Sequence, residues 1–349
     1  MPPYRNRKIR VLVVDDSMLA RKVITDGLSD YPNIEIVGNA INAMDAKNKV
    51  VRLDPDVMTC DVQMPGMSGL DFLKELLPKH PLPVVLVSSL NLGVFDALHV
   101  GAVDFVRKPD NAHGNDTFVA SLAQKIMVAA TAKVRRPGVV SPTIKPVMPA
   151  PPLGDSTAGR TIIGLGASTG GTEATLEVMK RLPEDIPGMV IVQHMPPGFT
   201  KMYADRLNRL CKMEVREAKD GDEVRRGLAL VAPADYQCRI VRAPTGGYRV
   251  ACTPGERVSG HRPSVDALFS SIAANVRCQT VGIIMTGMGR DGASGLLEMR
   301  QKGAYTIGQD KESSVVYGMP GVAQEIGAVM IQASCENIAS VLLRHLKMR

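Results

Sequence analysis

Short runs of β-branched and other apolar residues recur through the first third of the chain, at Ile9–Val14, Ile34–Val37, Asp56–Cys60, Val84–Val87 and Val103–Val106. Between them lie amphipathic stretches, such as Met18–Leu28 and Leu70–Leu77, with apolar positions at helical spacing. Five strands alternating with helices predict an α/β unit: a five-stranded parallel sheet covered on both faces. The alternation resumes at Thr161–Leu165, Met189–Gln193 and Thr280–Met285, and predicts a second α/β unit, doubly wound and mostly parallel. The stretch from about Leu228 to Ala251, containing V-R-A-P-T-G-G-Y-R-V, reads instead as β-hairpins.

Residues 133–159 interrupt both patterns. Their six prolines remove backbone donors and fix φ, so neither a helix nor a central strand can form. This is an extended, semi-rigid linker. It divides the chain into a first domain at 8–130, a linker at 131–159 and a second domain at 160–349, both of ordinary domain size.

Composition narrows the function classes. The 349 residues are 45% hydrophobic and 22% charged, the balance of a globular protein. No apolar run approaches the ~18 residues of a membrane span, and Val11–Val14 is too short for a signal-peptide core. A cytoplasmic protein with no membrane insertion is expected. The formal charge of +7 invites a nucleic-acid reading, but the basic residues are dispersed and there is no tryptophan to stack on bases. A solvated surface with no nucleic-acid partner is the simpler account. The six cysteines include no C-x-x-C pair, so they read as small core residues and not as a zinc site or disulfide framework.

Ligands of open parallel sheets bind beyond the carboxyl ends of the strands. In the first domain those ends carry Asp15 and Asp16, then Asp61, then Ser88, then Lys108. Asp15 and Asp16 alone would serve as helix N-terminal charges favoured by the dipole. Three carboxylates at one edge, however, repel one another unless a cation neutralises them, and a hard ion such as magnesium suits an all-oxygen site. A carboxylate beside that ion can accept a phosphoryl group, with Ser88 and Lys108 binding its oxygens. The combination D-D, D-V-Q-M-P-G-M-S-G, V-S-S and K-P resembles response-regulator receiver domains, which have a flavodoxin-like fold. The resemblance implies Asp61 as phosphoacceptor, and magnesium held by Asp15, Asp16, Asp61 and the backbone carbonyl of Gln63. The chain departs from the family between Ser89 and Val103, where thirteen residues stand in place of the family's usual longer loop and helix.

In the second domain, residues 161–182 run from a buried strand through a glycine-rich turn into a helix. Gly166-Ala-Ser168-Thr-Gly170 matches G-x-S-x-G, in which small neighbours expose a serine hydroxyl on a sharp turn. The same glycines fit a dinucleotide phosphate loop, and the stretch alone does not decide. Two other strand ends weigh in: His194 follows M-V-I-V-Q, and Asp291 follows T-V-G-I-I-M in T-G-M-G-R-D-G. Ser168, His194 and Asp291 would share one sheet edge as nucleophile, base and orienting carboxylate. Their chain order, Ser-His-Asp, is not that of the α/β-hydrolases.

The motifs G-A-S-T-G-G, Q-H-M, S-G-H-R-P-S-V-D and T-G-M-G-x-D-G resemble the catalytic domain of chemotaxis protein-glutamate methylesterases. That family joins a receiver to a methylesterase domain in this order. The resemblance implies hydrolysis of glutamyl methyl esters on cytoplasmic chemoreceptor helices, and deamidation of receptor glutamines. It implies a chemotaxis histidine kinase as phosphodonor, an unphosphorylated receiver packed over the esterase cleft, and no cofactor in the esterase site. The Met288 backbone N–H, assisted by Thr169, is the expected oxyanion donor. His261 and Arg262, in a polar loop, are either receptor contacts or ordinary exposed residues. A helix-turn-helix output is disfavoured because the second domain alternates strands and helices. A nucleotide-binding output predicts no need for His194.

Overall fold

A computed structural model describes residues 7–89, 93–109, 114–134 and 161–347. The chain forms two compact units that divide within the proline-rich stretch. Residues 135–159 of the expected linker lie outside the described residues.

The first unit runs β1 (Ile9–Val14), α1 (Met18–Ser29), β2 (Ile34–Ala40), α2 (Ala43–Leu53), β3 (Val57–Asp61), α3 (Gly69–Leu76), β4 (Val84–Ser88), α4 (Gly93–Val100), β5 (Asp104–Arg107) and α5 (Asn115–Ala129). All five strands are parallel, in the order β2-β1-β3-β4-β5. β3 and β4 are buried at every position, as continuous apolar runs covered on both faces should be. Ser17, Asn42 and Ser68 cap α1, α2 and α3, each accepting a backbone N–H three residues on.

The short segment between Ser89 and Val103 holds a fourth helix despite its length. α4 needs only eight residues because Val94, Phe95, Ala97 and Leu98 bury one face. Phe95 meets Phe105 edge-on at 6.4 Å, and Gly101, at φ 128°, ends the helix.

The second unit is built on seven parallel strands in the order β14-β13-β12-β6-β7-β9-β8. They are β6 (Thr161–Ala167), β7 (Gly188–Gln193), β8 (Glu214–Glu217), β9 (Leu228–Val231), β12 (Gln279–Ile284), β13 (Tyr305–Gln309) and β14 (Ile331–Ala333). The helices are α6 (Gly171–Met179), α7 (Phe199–Leu210), α8 (Val265–Asn275), α9 (Ala293–Gln301), α10 (Met319–Glu325) and α11 (Cys335–Lys347). β10 (Gln237–Arg242) and β11 (Tyr248–Thr253) pair antiparallel as the expected hairpin. Leu228–Val231 does not belong to it. This fully buried run inserts between β7 and β8 as a parallel strand. Its lack of alternation was the signal, since a strand covered on both faces shows no polar side.

From β6 the chain winds outward through β7 to β8 and β9, then returns to place β12 on the other side of β6. The reversal between β6 and β12 opens a crevice at their carboxyl ends, the place such sheets bind ligands.

Candidate active site and carboxylate cluster

Three loops meet at that crevice. β6 leads into Ser168, whose N–H donates to the Thr286 carbonyl beyond β12 at 3.0 Å. The chain then turns at Gly170, at φ 76°, a left-handed conformation that favours glycine, and enters α6. The Gly171 N–H closes the turn onto the Ser168 carbonyl at 2.7 Å. Gly166, one of the glycines shared with the dinucleotide reading, has a packing role here: a Cβ on it would strike Val265, so its absence lets α8 approach β6.

His194 follows β7, and its N–H donates to the Ala167 carbonyl at 3.1 Å, tying the two strand ends together. Asp291 lies beyond β12 and is 1% exposed. Its Oδ2 is 2.8 Å from His194 Nε2. Asp291 also sits on the N-terminus of α8. Its Oδ1 accepts from Ser264 Oγ at 2.7 Å and from the Asp266 N–H at 3.0 Å, and its Oδ2 accepts from the Val265 N–H at 2.7 Å. Burial alone would raise the Asp291 pKa. The His194 bond and charge, the Asp266 N–H and the Ser264 hydroxyl outweigh it and hold the carboxyl below the ordinary range.

An ionised carboxylate only accepts hydrogen bonds, so His194 Nε2 is the donor to Asp291, which leaves Nδ1 as the acceptor whenever the imidazole is neutral. Nδ1 is buried and has no hydrogen-bond partner among the described residues. No hydrogen bond joins it to Ser168 Oγ, a looseness common in catalytic sites without substrate.

The glycine-rich loop after β12 is pinned by hydrogen bonds from Gly287 N–H to the Val316 carbonyl, and from the Gly318 and Met319 N–H groups to the Gly287 carbonyl. Met288, next along, is 46% exposed. Its backbone N–H donates to no described residue. Thr169 is buried, and its carbonyl accepts from Thr286 Oγ1 at 3.0 Å.

Sequence reasoning missed several supports. Gln193 Nε2 donates to the carbonyls of Ser168 and His194. Ser264, the N-cap of α8, reaches Asp291. Its signal was present in the S-V-D ending of a motif already singled out, a cap residue opening an apolar helix. His261 does not extend freely into solvent: its ring stacks on His194 at 3.8 Å between centroids, with an 8° interplanar angle. Arg262 folds back to the Gly255 carbonyl at 2.7 Å and toward Asp235 at 3.7 Å.

In the first unit Asp15, Asp16 and Asp61 converge, with one carboxylate oxygen from each all within 4.8 Å. Lys108 Nζ donates to Asp61 Oδ2 at 2.6 Å and lies 2.9 Å from Asp15 Oδ2. The Asp15 contact is an ion pair by distance, and the buried Asp15 Oδ2 has no partner of full hydrogen-bond geometry among the described residues. The Gln63 N–H donates to Asp61 Oδ1 at 3.1 Å. Ser88 Oγ donates to the Ser89 carbonyl at 2.8 Å, and the Lys108 N–H to the Ser88 carbonyl at 2.8 Å. Burial raises the Asp61 pKa. Lys108 and the Gln63 N–H offset this only in part, and the neighbouring Asp15 adds to the rise. Burial by itself lowers the Lys108 pKa, but the two carboxylates it serves prevail and raise it.

Residues 163–342 match the family model described as CheB methylesterase, and residues 11–114 match the response regulator receiver domain. A protein-glutamate methylesterase/protein-glutamine glutaminase from Syntrophomonas wolfei is 49% identical over 97% of this chain and 98% of its own. One from Caulobacter vibrioides is 45% identical, over 96% of each chain. The crystal structure of the Thermotoga maritima CheB methylesterase catalytic domain superposes with a TM-score of 0.51 at 34% identity, covering 53% of this chain and 97% of that one. This chain therefore belongs to the CheB methylesterase family, with a response-regulator receiver domain preceding its methylesterase domain.

Proposed function

We propose that this chain hydrolyses glutamyl methyl esters on cytoplasmic chemoreceptor helices, releasing methanol, under control of phosphorylation at Asp61. The single observation that carries the esterase chemistry is the 2.8 Å hydrogen bond from His194 to Asp291, made at the strand end beside Ser168. His194 Nδ1 takes the Ser168 proton as Oγ bonds to the ester carbonyl carbon. The Met288 N–H, with Thr169 assisting, stabilises the oxyanion; one such donor is worth ~10²–10³ in rate. The tetrahedral adduct collapses, and the departing methoxide takes the proton from Nδ1 to leave as methanol. Water, deprotonated by His194, then releases the glutamate carboxylate and restores Ser168. A glutamine side chain follows the same course with ammonia leaving, which is the deamidase activity in the names of the relatives.

In the receiver, the three convergent carboxylates are all hard oxygen donors and so fit magnesium, with the Gln63 carbonyl as a further ligand. When bound, magnesium neutralises the carboxylates and the incoming phosphoryl oxygens. Asp61 accepts the phosphoryl group, and Lys108 and Ser88 bind its oxygens. The donor is a chemotaxis histidine kinase, and phosphorylation shifts the population toward the active esterase. No helix among the described residues is long and apolar enough to cross a membrane. We assign the reaction to the cytoplasm because the receptor helices and the kinase are there.

The test is methanol release from methylated receptor with wild type, Ser168→Ala and Asp61→Asn, each with and without a small phosphodonor. Wild type accelerates with the donor, Ser168→Ala is inactive and Asp61→Asn no longer responds. A fully active Ser168→Ala would return the glycine-rich turn to a binding loop, and a donor-responsive Asp61→Asn would end the proposed switch.

A further inference from the structure

The loop between β11 and α8 is held at many points. Val258 and His261 exchange backbone hydrogen bonds of 3.0 and 2.9 Å. Between them Ser259 and Gly260 both take positive φ, 51° and 83°, the signature of a type I′ turn. Ser259 Oγ donates to Asp266 Oδ2 at 2.7 Å. Gln237 Nε2 donates to the carbonyls of Glu256 and His261, each at 3.0 Å. Arg257 reaches the Gly260 carbonyl at 3.3 Å. What this scaffold presents is one imidazole, laid flat on the His194 ring.

Asp266 connects the loop to the site. Its side chain holds Ser259, and its N–H holds Asp291. The first turn of α8 is thus a common platform for the carboxylate on one edge of His194 and for the ring on its face. The two restraints differ in direction. The Asp291 bond fixes one atom of the imidazole, about which the ring can still tilt. A parallel ring at 3.8 Å opposes tilt.

We propose that His261 is a positioning residue for the esterase: its ring holds the His194 imidazole in the plane that directs Nδ1 to the Ser168 hydroxyl. This rests on the roles assigned to Ser168 and His194 above. In this role His261 acts through the His194 ring it stacks on, so its effect falls on kcat and not on KM.

Phosphodonor-activated, full-length wild type, Ser168→Ala, His261→Phe and His261→Leu are compared by methanol release over a range of methylated-receptor concentrations. Phenylalanine keeps a flat face; leucine fills the space without one. His261→Leu loses roughly 10- to 100-fold in kcat with KM unchanged, the scale of a small misplacement of a reacting group. His261→Phe recovers most of that loss. Three outcomes overturn the proposal: His261→Leu keeping wild-type kcat, His261→Phe falling as far as His261→Leu, or a loss confined to KM. An active Ser168→Ala would overturn the triad itself, so the two failures are told apart.

Discussion

The side-chain amide of Gln193 donates to the Ser168 carbonyl at 2.8 Å and to the His194 carbonyl at 3.2 Å, so one NH₂ group spans the ends of β6 and β7. Gln193→Leu keeps the bulk and removes the clamp. The lost hydrogen bonds cost about 1–3 kcal/mol, relieved in part because Gln193 Oε1, buried without a hydrogen-bond partner among the described residues, goes too. The expected result is a modest drop in calorimetric unfolding temperature with a fall of roughly tenfold in kcat. An unchanged kcat would make the clamp purely structural.

Asp291→Asn replaces an acceptor-only group by one that donates from one side. It can no longer satisfy His194 and the α8 N-terminus together. Methanol release should fall by about 10³–10⁴, the scale seen when a triad carboxylate becomes an amide. The folded-state pKa of Asp291 is depressed, so its charge contributes stability above its unfolded value of ~3.9 and loses that contribution as pH falls through the depressed value. Calorimetry of both proteins should find wild type more stable at neutral pH, with the difference closing below about pH 4.

Gly287 lies against the nucleophile: a Cβ on it would strike Met319 Sδ and stand 2.7 Å from Ser168 Cβ and 3.1 Å from Ser168 N. The Met319 side chain can swing away, but the two Ser168 atoms are not the far end of a flexible side chain, so Gly287→Ala must also shift the Ser168 turn or the Met288 loop. A loss of about 10²-fold in kcat is expected, with the second unit still folded by circular dichroism. Wild-type activity would show that the turn has slack.

Asp61 has the opposite sign to Asp291. Its folded-state pKa is raised, so its ionised form costs stability at neutral pH, and the cost disappears as pH falls through the raised value toward ~3.9. With magnesium chelated, Asp61→Asn should therefore raise the unfolding temperature of the receiver at neutral pH, and the gain should shrink on acidification. Lys108 retains its ion pair with Asp15 in this variant, so no buried cation is stranded. Added magnesium should stabilise wild type more than the variant.

The alternation of apolar strands and amphipathic helices, read from local spacing alone, determined two α/β units. It also placed Asp15, Asp61, Ser168, His194 and Asp291 at or beyond the carboxyl ends of strands, because in a parallel sheet every carboxyl end faces the same edge. Local pattern was weaker where length or burial decided. α4 forms in eight residues because four of them bury against the sheet unit. Leu228–Val231 joins the parallel sheet because both its faces are covered. The tertiary structure alone decided the rest of the site. Ser264 reaches Asp291 across 27 positions, Gln193 reaches Ser168 across 25, and His194 reaches Asp291 across 97. The stack of His261 on His194 depends on a loop held by Gln237 and Asp266. Periodicity reports which face of an element is buried. Hydrogen-bond partners and ring contacts are set by how distant elements dock, and no local spacing encodes them.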